Sequence, residues 1–142
     1  MKDKSENNSF FSDGESQVKS RLVSSRLSYA QALEKAKGQI DLVYFRETDK
    51  PLAAEILANI AEVFMLWDST PVKIAGVQID GYILKQIFEQ LHEEHVQLVI
   101  DNFHKIDYIV NYKKAYIRTA LYNSVFEIEA HYDNLVKHDL GL

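Results

Sequence analysis

Cysteine is absent from the 142-residue chain, which excludes disulfide frameworks, thiolate zinc sites and cysteine nucleophiles. Only two prolines and five glycines are present, and the glycines are too scattered to form a phosphate-binding loop. No apolar run is long enough for a signal peptide or a bilayer span. We therefore expect a cytoplasmic protein that binds no membrane, metal or cofactor.

Basic side chains are also few, and they are unevenly distributed. Residues 1–27 hold five Lys/Arg against four Asp/Glu, whereas residues 28–142 hold eleven against seventeen. Duplex DNA binding takes most of its affinity from lysines and arginines that displace phosphate counterions. The acidic balance argues against sequence-specific duplex binding by this chain.

The composition predicts one domain preceded by a linker. A hydrophobic content of 46% in 142 residues provides for one core. Residues 1–25 contain seven serines and almost no apolar periodicity, so we assign residues 1–27 to a disordered leader or interdomain linker. Residues 28–142 are assigned to a helical domain.

Helical periodicity dominates the first part of this domain. Apolar residues from 27 to 45 keep a helical period that Gly38 interrupts, which predicts two short helices or one kinked helix. Asp49-Lys50-Pro51 then begins a helix that runs to about Leu66, with proline in its first turn. Its apolar stripe is broad enough for a central core helix, and the residues left on its polar side are Glu55, Asn59 and Glu62.

A strand period appears only between Val72 and Ile79. With Ala75-Gly76 as a two-residue turn, Ile74 pairs with Val77 and Val72 with Ile79. This register predicts a β-hairpin with all four branched side chains buried on one face. Lys73 and Gln78 are expected on the exposed face.

Four more helices are predicted after the hairpin. Asp80 is a suitable N-cap for the first, and the second carries an apolar face from Val96 to Phe103. The segment from Lys113 to Asp139 has two helical periodicities, which predict two consecutive helices broken near residues 123–126.

The histidines and carboxylates do not predict catalysis. His92 and His95 are three residues apart, whereas the metalloprotease motif requires four, so we assign them structural or surface roles. His131 is expected to be half-buried on the apolar face of the last helix. Adjacent pairs such as Glu93 and Glu94 do not face each other on a helix. We expect a non-enzymatic protein.

One basic cluster interleaved with tyrosines departs from the acidic background. Lys114 and Arg118 lie one helical turn apart on a shared face. Basic and aromatic side chains together are typical of surfaces that bind single-stranded nucleic acid or an acidic partner. The alternative is a solubilising helix edge with the tyrosines in the core. The candidate binding residues are Lys105, Tyr112, Lys113, Lys114 and Arg118.

Several segments resemble a known family of replication proteins. AYIRTALYNS from Ala115, followed by HYDNLVKHD from His131, is similar to the C-terminal domain of RepA-type replication initiators of plasmids and integrative elements in Gram-positive bacteria. VKIAGVQIDGYILKQIFEQL from Val72 and HVQLVIDNF from His95 match the same family in order and spacing. That domain is itself similar to the DnaD domain of primosome proteins.

The resemblance implies an all-α, DnaD-like bundle of five or six short helices with one small β-hairpin. It also implies a non-enzymatic module that recruits host primosome or primase proteins during replication initiation. The chain is then either a fragment of a longer initiator or a stand-alone module. Two other functions stay open: binding of single-stranded DNA, and homo-oligomerisation without an external partner.

Overall fold

The computed structural model describes residues 26–141, and these form a mostly helical domain with one two-stranded antiparallel sheet. The disorder predicted for residues 1–25 concerns a segment outside the described residues. Arg26 and Leu27, which the sequence assigned to the leader, contact the domain. Within 26–141 the helices are α1 (Tyr29–Gln39), α2 (Lys50–Phe64), α3 (Gly81–Phe88), α4 (Glu93–His104) and α5 (Lys113–Asp139), and the strands are β1 (Pro71–Ile74) and β2 (Val77–Asp80).

Helix α1 begins with a capping box, because Ser28 Oγ accepts the Gln31 N–H while the Gln31 side chain accepts the Ser28 N–H. Gly38 lies inside α1, close to its end, and a separate 3₁₀ turn follows at Leu42–Tyr44. The interruption predicted at Gly38 is therefore the end of α1, which comes one residue later, at Gln39.

Helix α2 is the central core helix that its broad apolar stripe predicted. It begins at Lys50 with Pro51 in its first turn, and it contacts all four other helices. The prediction that Asn59 lies on the polar side of α2 is wrong, because this residue is only 4% exposed. Asn59 Nδ2 donates to the Glu55 carbonyl, whereas Oδ1 has no partner among the described residues.

The hairpin has the predicted register, with Val72 opposite Ile79 and Ile74 opposite Val77. Ala75 and Gly76 form the turn with φ of 52° and 82°, the positive values that a tight hairpin turn requires. The prediction that Val77 is buried is wrong, since it is 60% exposed. Val72 and Ile74 of β1 pack on the core and Ile79 of β2 is partly buried, whereas Val77 of β2 does not reach the core.

Helix α5 is one continuous helix of 27 residues, so the predicted break near residues 123–126 is wrong. Ser124 is buried and its hydroxyl donates to the Leu121 carbonyl, 2.6 Å away, inside the helix. Beyond Ile128 the helix is exposed at every residue through Leu140. His131 is therefore exposed, and the prediction that it is half-buried is also wrong.

Candidate interaction surface between α4 and α5

The loop that joins α4 to α5, residues 105–112, is here called the aromatic loop. It exposes 67% of Tyr108, 87% of Ile109 and 81% of Tyr112, while Ile106 and Val110 are partly buried. Three large apolar side chains are thus exposed within five residues of one loop. Of these three residues, only Tyr112 is among the candidate binding residues predicted from the sequence.

Both ends of the aromatic loop are held by hydrogen bonds to the helices. The Lys105 N–H donates to the Asn102 carbonyl at 3.1 Å, and the Tyr116 N–H donates to the Tyr112 carbonyl at 2.9 Å. Phe103 of α4 and Tyr116 of α5 pack edge to face, with ring centroids 5.9 Å apart. Burial is the main cause that raises the pKa of Tyr116, and the proximity of Tyr108 adds to this effect. The loop therefore presents its exposed side chains from a fixed base.

Lys113 and Lys114, both predicted to bind a partner, pair with carboxylates of α2. Lys113 Nζ lies 2.9 Å from Glu55 and also 5.2 Å from the centre of the Phe103 ring. Lys114 Nζ lies 3.0 Å from Glu62. These pairs dock the start of α5 on α2 and partly offset the two positive charges.

The other two predicted cations have different surroundings. Arg118 is partly buried on α5, and no ion pair joins it to another described side chain. Lys105 is exposed at the C-terminal end of α4. The predicted binding residues therefore do not form one cluster of free cations. Lys113 and Lys114 pair with carboxylates of α2. Lys105 and Tyr112 lie exposed on the aromatic loop.

A buried ionic contact holds the end of α4 from which the loop leaves. Asp49 is 2% exposed and accepts hydrogen bonds from His104 Nε2 at 2.8 Å and from the Arg46 guanidinium. The hydrogen bond from His104 is the main cause that lowers the pKa of Asp49. Burial opposes this effect, and Arg46 adds to it.

His92 and His95 contact each other at the start of α4. The His92 N–H donates to His95 Nδ1 at 3.1 Å at the start of α4, and the ring centroids are 4.3 Å apart. Burial lowers the pKa of His95, and the neighbouring His92 adds to this effect. Within residues 26–141, no group of three or more metal-ligating side chains is arranged to hold an ion.

Sequence reasoning missed a cleft beside the turn that follows α2. Arg26, Lys35, Trp67 and Lys85 line it, and they come from separate segments of the chain. No local motif joins these residues. The only sequence signal is Trp67, the single tryptophan, which directly follows the residues predicted for α2. It lies beyond the end of that helix and is 40% exposed.

A family comparison covers nearly the whole described domain. The chain belongs to the family of unknown function DUF6017, which it matches over residues 30–141. No curated protein and no solved structure matches the chain. Among residues 26–141, every helix is too short or too polar to cross a membrane.

Proposed function

We propose that this chain is a non-enzymatic replication-initiation module that recruits host primosome or primase proteins through the aromatic loop. The observation that carries the proposal is the exposure of Tyr108, Ile109 and Tyr112 in this single loop. Contiguous exposed apolar side chains are characteristic of protein interaction sites. Tyrosine is also enriched among the residues that contribute most to binding energy at interfaces.

The fixed base of the loop favours recognition. Hydrogen bonds from Lys105 and Tyr116 hold its two ends, and the Phe103–Tyr116 pair joins the two helices that flank it. A surface that is already ordered loses less conformational entropy when a partner binds. The loop is therefore suited to a partner with an apolar pocket, and Lys105 adds a positive charge at the edge.

The replication context rests on the resemblance of the segments from Val72 to Phe103 and from Ala115 to Asp139 to RepA-type initiators. A DnaD-like fold and a cytoplasmic location belong to the same proposal. An initiator has to bring the host replication machinery to its origin, and a module without catalytic groups would do so by binding. Host primase and primosome proteins are the partners that this context selects.

The test compares two triple variants of the full chain against purified host primase and primosome proteins. In the first, Tyr108, Ile109 and Tyr112 are each replaced by Ser. In the control, Val43, Tyr44 and Val77, which are similarly exposed elsewhere, are replaced by Ser. Calorimetry should show at least about tenfold weaker binding for the loop variant and unchanged binding for the control. Equal affinities would contradict the proposal.

The two other candidate functions predict different outcomes for the same proteins. A homo-oligomerisation module would show a mass that rises with concentration in light scattering, and no binding to host proteins. A single-stranded DNA-binding domain would bind an oligonucleotide with strong salt dependence. The pairing of Lys113 with Glu55 and of Lys114 with Glu62 counts against this last function.

A further inference from the structure

A cleft of about 600 Å³ lies between the start of α1, the turn after α2, and α3. Leu27, Phe64 and Trp67 contribute its apolar lining, while Tyr82 is exposed along one side. The volume lies within the range of about 300–1,000 Å³ that is typical of ligand sites in proteins. None of these residues belongs to the aromatic loop.

The turn that carries Trp67 is fastened to the first turn of α3. The Gly81 N–H donates to the Thr70 carbonyl at 2.8 Å, and the Tyr82 N–H donates to the Asp68 carbonyl at 3.0 Å. Lys85 Nζ donates to the Leu66 carbonyl at 2.8 Å. The bonds from Gly81 and Tyr82 use backbone donors at the N-terminus of α3, where Asp80 provides no side-chain cap. The floor of the cleft is therefore ordered before any ligand binds.

Two cations lie over the aromatic rings of the cleft. The Arg26 guanidinium is 4.3 Å from the centre of the Trp67 ring, and Lys35 Nζ is 5.0 Å from the centre of the Phe64 ring. Arg26 Nε donates to the Met65 carbonyl, and no carboxylate among the described residues pairs with Arg26. A guanidinium has five N–H donors, so several can serve a ligand carboxylate.

Each of the two lysines of the cleft pairs with one carboxylate. Lys35 Nζ lies 2.7 Å from Glu89, and Lys85 Nζ lies 2.7 Å from Asp68. Both carboxylates are at least half exposed, and such pairs contribute about 0–1 kcal/mol. A ligand carboxylate can therefore share Lys35 with little loss of stability, whereas Lys85 also donates to the Leu66 carbonyl.

From this arrangement we infer that the cleft binds a peptide segment of a partner protein in which a large apolar side chain lies next to a carboxylate. The apolar side chain packs against Leu27, Phe64 and Trp67. The carboxylate pairs with the Arg26 guanidinium in a bidentate manner, a geometry that matches the planar fork of arginine. This site is independent of the aromatic loop and of the replication role.

The charge of the cleft favours such a peptide over nucleic acid. A nucleic acid strand places one phosphate at every nucleotide and requires several cations along its path. Here Asp68 and Glu89 also line the cleft, and the domain as a whole is acidic. One or two carboxylates beside an apolar side chain match the available groups better than a polyanion.

The class of ligand can be tested with a pool of short amidated peptides of random sequence. The immobilised full chain captures peptides from the pool, and mass spectrometry reads the bound fraction. We expect enrichment of Asp and Glu over Asn and Gln next to Leu, Phe or Trp. Equal recovery of acidic and amide residues would overturn the inference. So would stronger competition by oligothymidylate than by the enriched peptides.

Trp67 supplies a direct second readout, because it is the only tryptophan in the chain. An enriched peptide without tryptophan should change its fluorescence in a saturable way. Arg26→Gln should weaken that binding about tenfold, the effect of losing one charge-assisted contact. Lys37→Gln, which changes an exposed lysine of α1 outside the cleft, is the matched control and should bind normally.

Variant folding is checked separately by circular dichroism and the thermal midpoint. Equal peptide affinity for Arg26→Gln and wild type would overturn the role of the guanidinium and with it the proposed geometry. A peptide that binds without changing Trp67 emission would place its site elsewhere, and would equally overturn the inference. Loss of peptide binding in the Ser variant of the aromatic loop would show that the two surfaces are one site.

Discussion

Asp49 Oδ1 and His104 Nε2 lie 2.8 Å apart and join the start of α2 to the end of α4. A carboxylate can only accept, so His104 donates, and Arg46 donates to the other carboxylate oxygen. This contact connects two elements separated by 55 positions in the chain. Because α4 ends there, it also fixes the base of the aromatic loop.

The first prediction concerns the acid sensitivity of this contact. The pKa of Asp49 is lower in the folded chain than its ordinary value of 3.8, because His104 and Arg46 stabilise the ionised form. Its stabilising contribution is therefore complete above about pH 4 and is lost as the pH falls through the folded-state pKa. Asp49→Asn should lower the urea midpoint at neutral pH, and the difference from wild type should narrow below about pH 4. A difference that stays constant across this range would contradict the prediction.

A second pH effect is expected from His95, which is 4% exposed at the start of α4. Burial and the neighbouring His92 lower its pKa below 6.5, so the unfolded chain takes up this proton before the folded chain does. Stability should therefore decrease as the pH falls below about 6.5. His95→Gln should flatten this decrease in denaturant titrations, whereas His138→Gln, at the exposed end of α5, should not. Parallel pH profiles for all three proteins would refute the assignment.

The two strands of the hairpin give a third prediction. Ile74 is 1% exposed, so Ile74→Ala should destabilise the domain by roughly 2–5 kcal/mol. Val77 is its cross-strand partner but is 60% exposed, and Val77→Ala should change stability by less than about 0.5 kcal/mol. Urea unfolding of both variants measures the contrast. Similar losses in the two proteins would mean that Val77 is packed as tightly as Ile74.

The hairpin also shows what the sequence could predict. Its register followed from the period of two and the Ala75-Gly76 turn, both of which are local. The start of α2 was predictable for the same reason, since Pro51 suits the first turn of a helix. The exposure of Val77 was not predictable, because it depends on which strand packs against the helices.

Errors occurred where tertiary packing overrides local preference. Ser124 favours a helix break by propensity, yet burial of Leu121 and Val125 beside it keeps α5 continuous. The pairing of Lys113 with Glu55 spans 58 positions, and no local spacing rule anticipates it. The cleft was missed because its residues meet only after folding.

The close contact between Gly81 and the turn after α2 gives a fourth prediction. A Cβ at Gly81 would lie 2.2 Å from the Trp67 carbonyl oxygen, so the backbone would have to shift. Gly81→Ala should cost roughly 1–3 kcal/mol and should alter Trp67 fluorescence. Gly38→Ala is the control, since nothing lies within 4 Å of its Cβ inside α1, and it should stabilise by about 0.5–1 kcal/mol. Thermal and urea unfolding compare the two, and a neutral Gly81→Ala would contradict the contact.

The final prediction concerns the ion pairs between α5 and α2. Lys113 and Lys114 are each about 3 Å from a carboxylate, so their charges are partly offset. The double variant Glu55→Gln and Glu62→Gln removes those carboxylates and nearly preserves side-chain volume. Because these pairs are largely exposed, each change should cost at most about 1 kcal/mol of stability.

The same double variant should bind an oligothymidylate more tightly than wild type does. Each lysine that then contacts a phosphate steepens the logarithmic salt dependence of binding by about 0.7 for a single strand. Fluorescence anisotropy at several salt concentrations measures both quantities. In a matched control, Glu127→Gln with Glu129→Gln removes two charges farther along α5 without releasing either lysine, and it should leave the slope unchanged. If both double variants tighten binding equally, net charge alone governs the interaction, and Lys113 and Lys114 have no specific role in binding single strands.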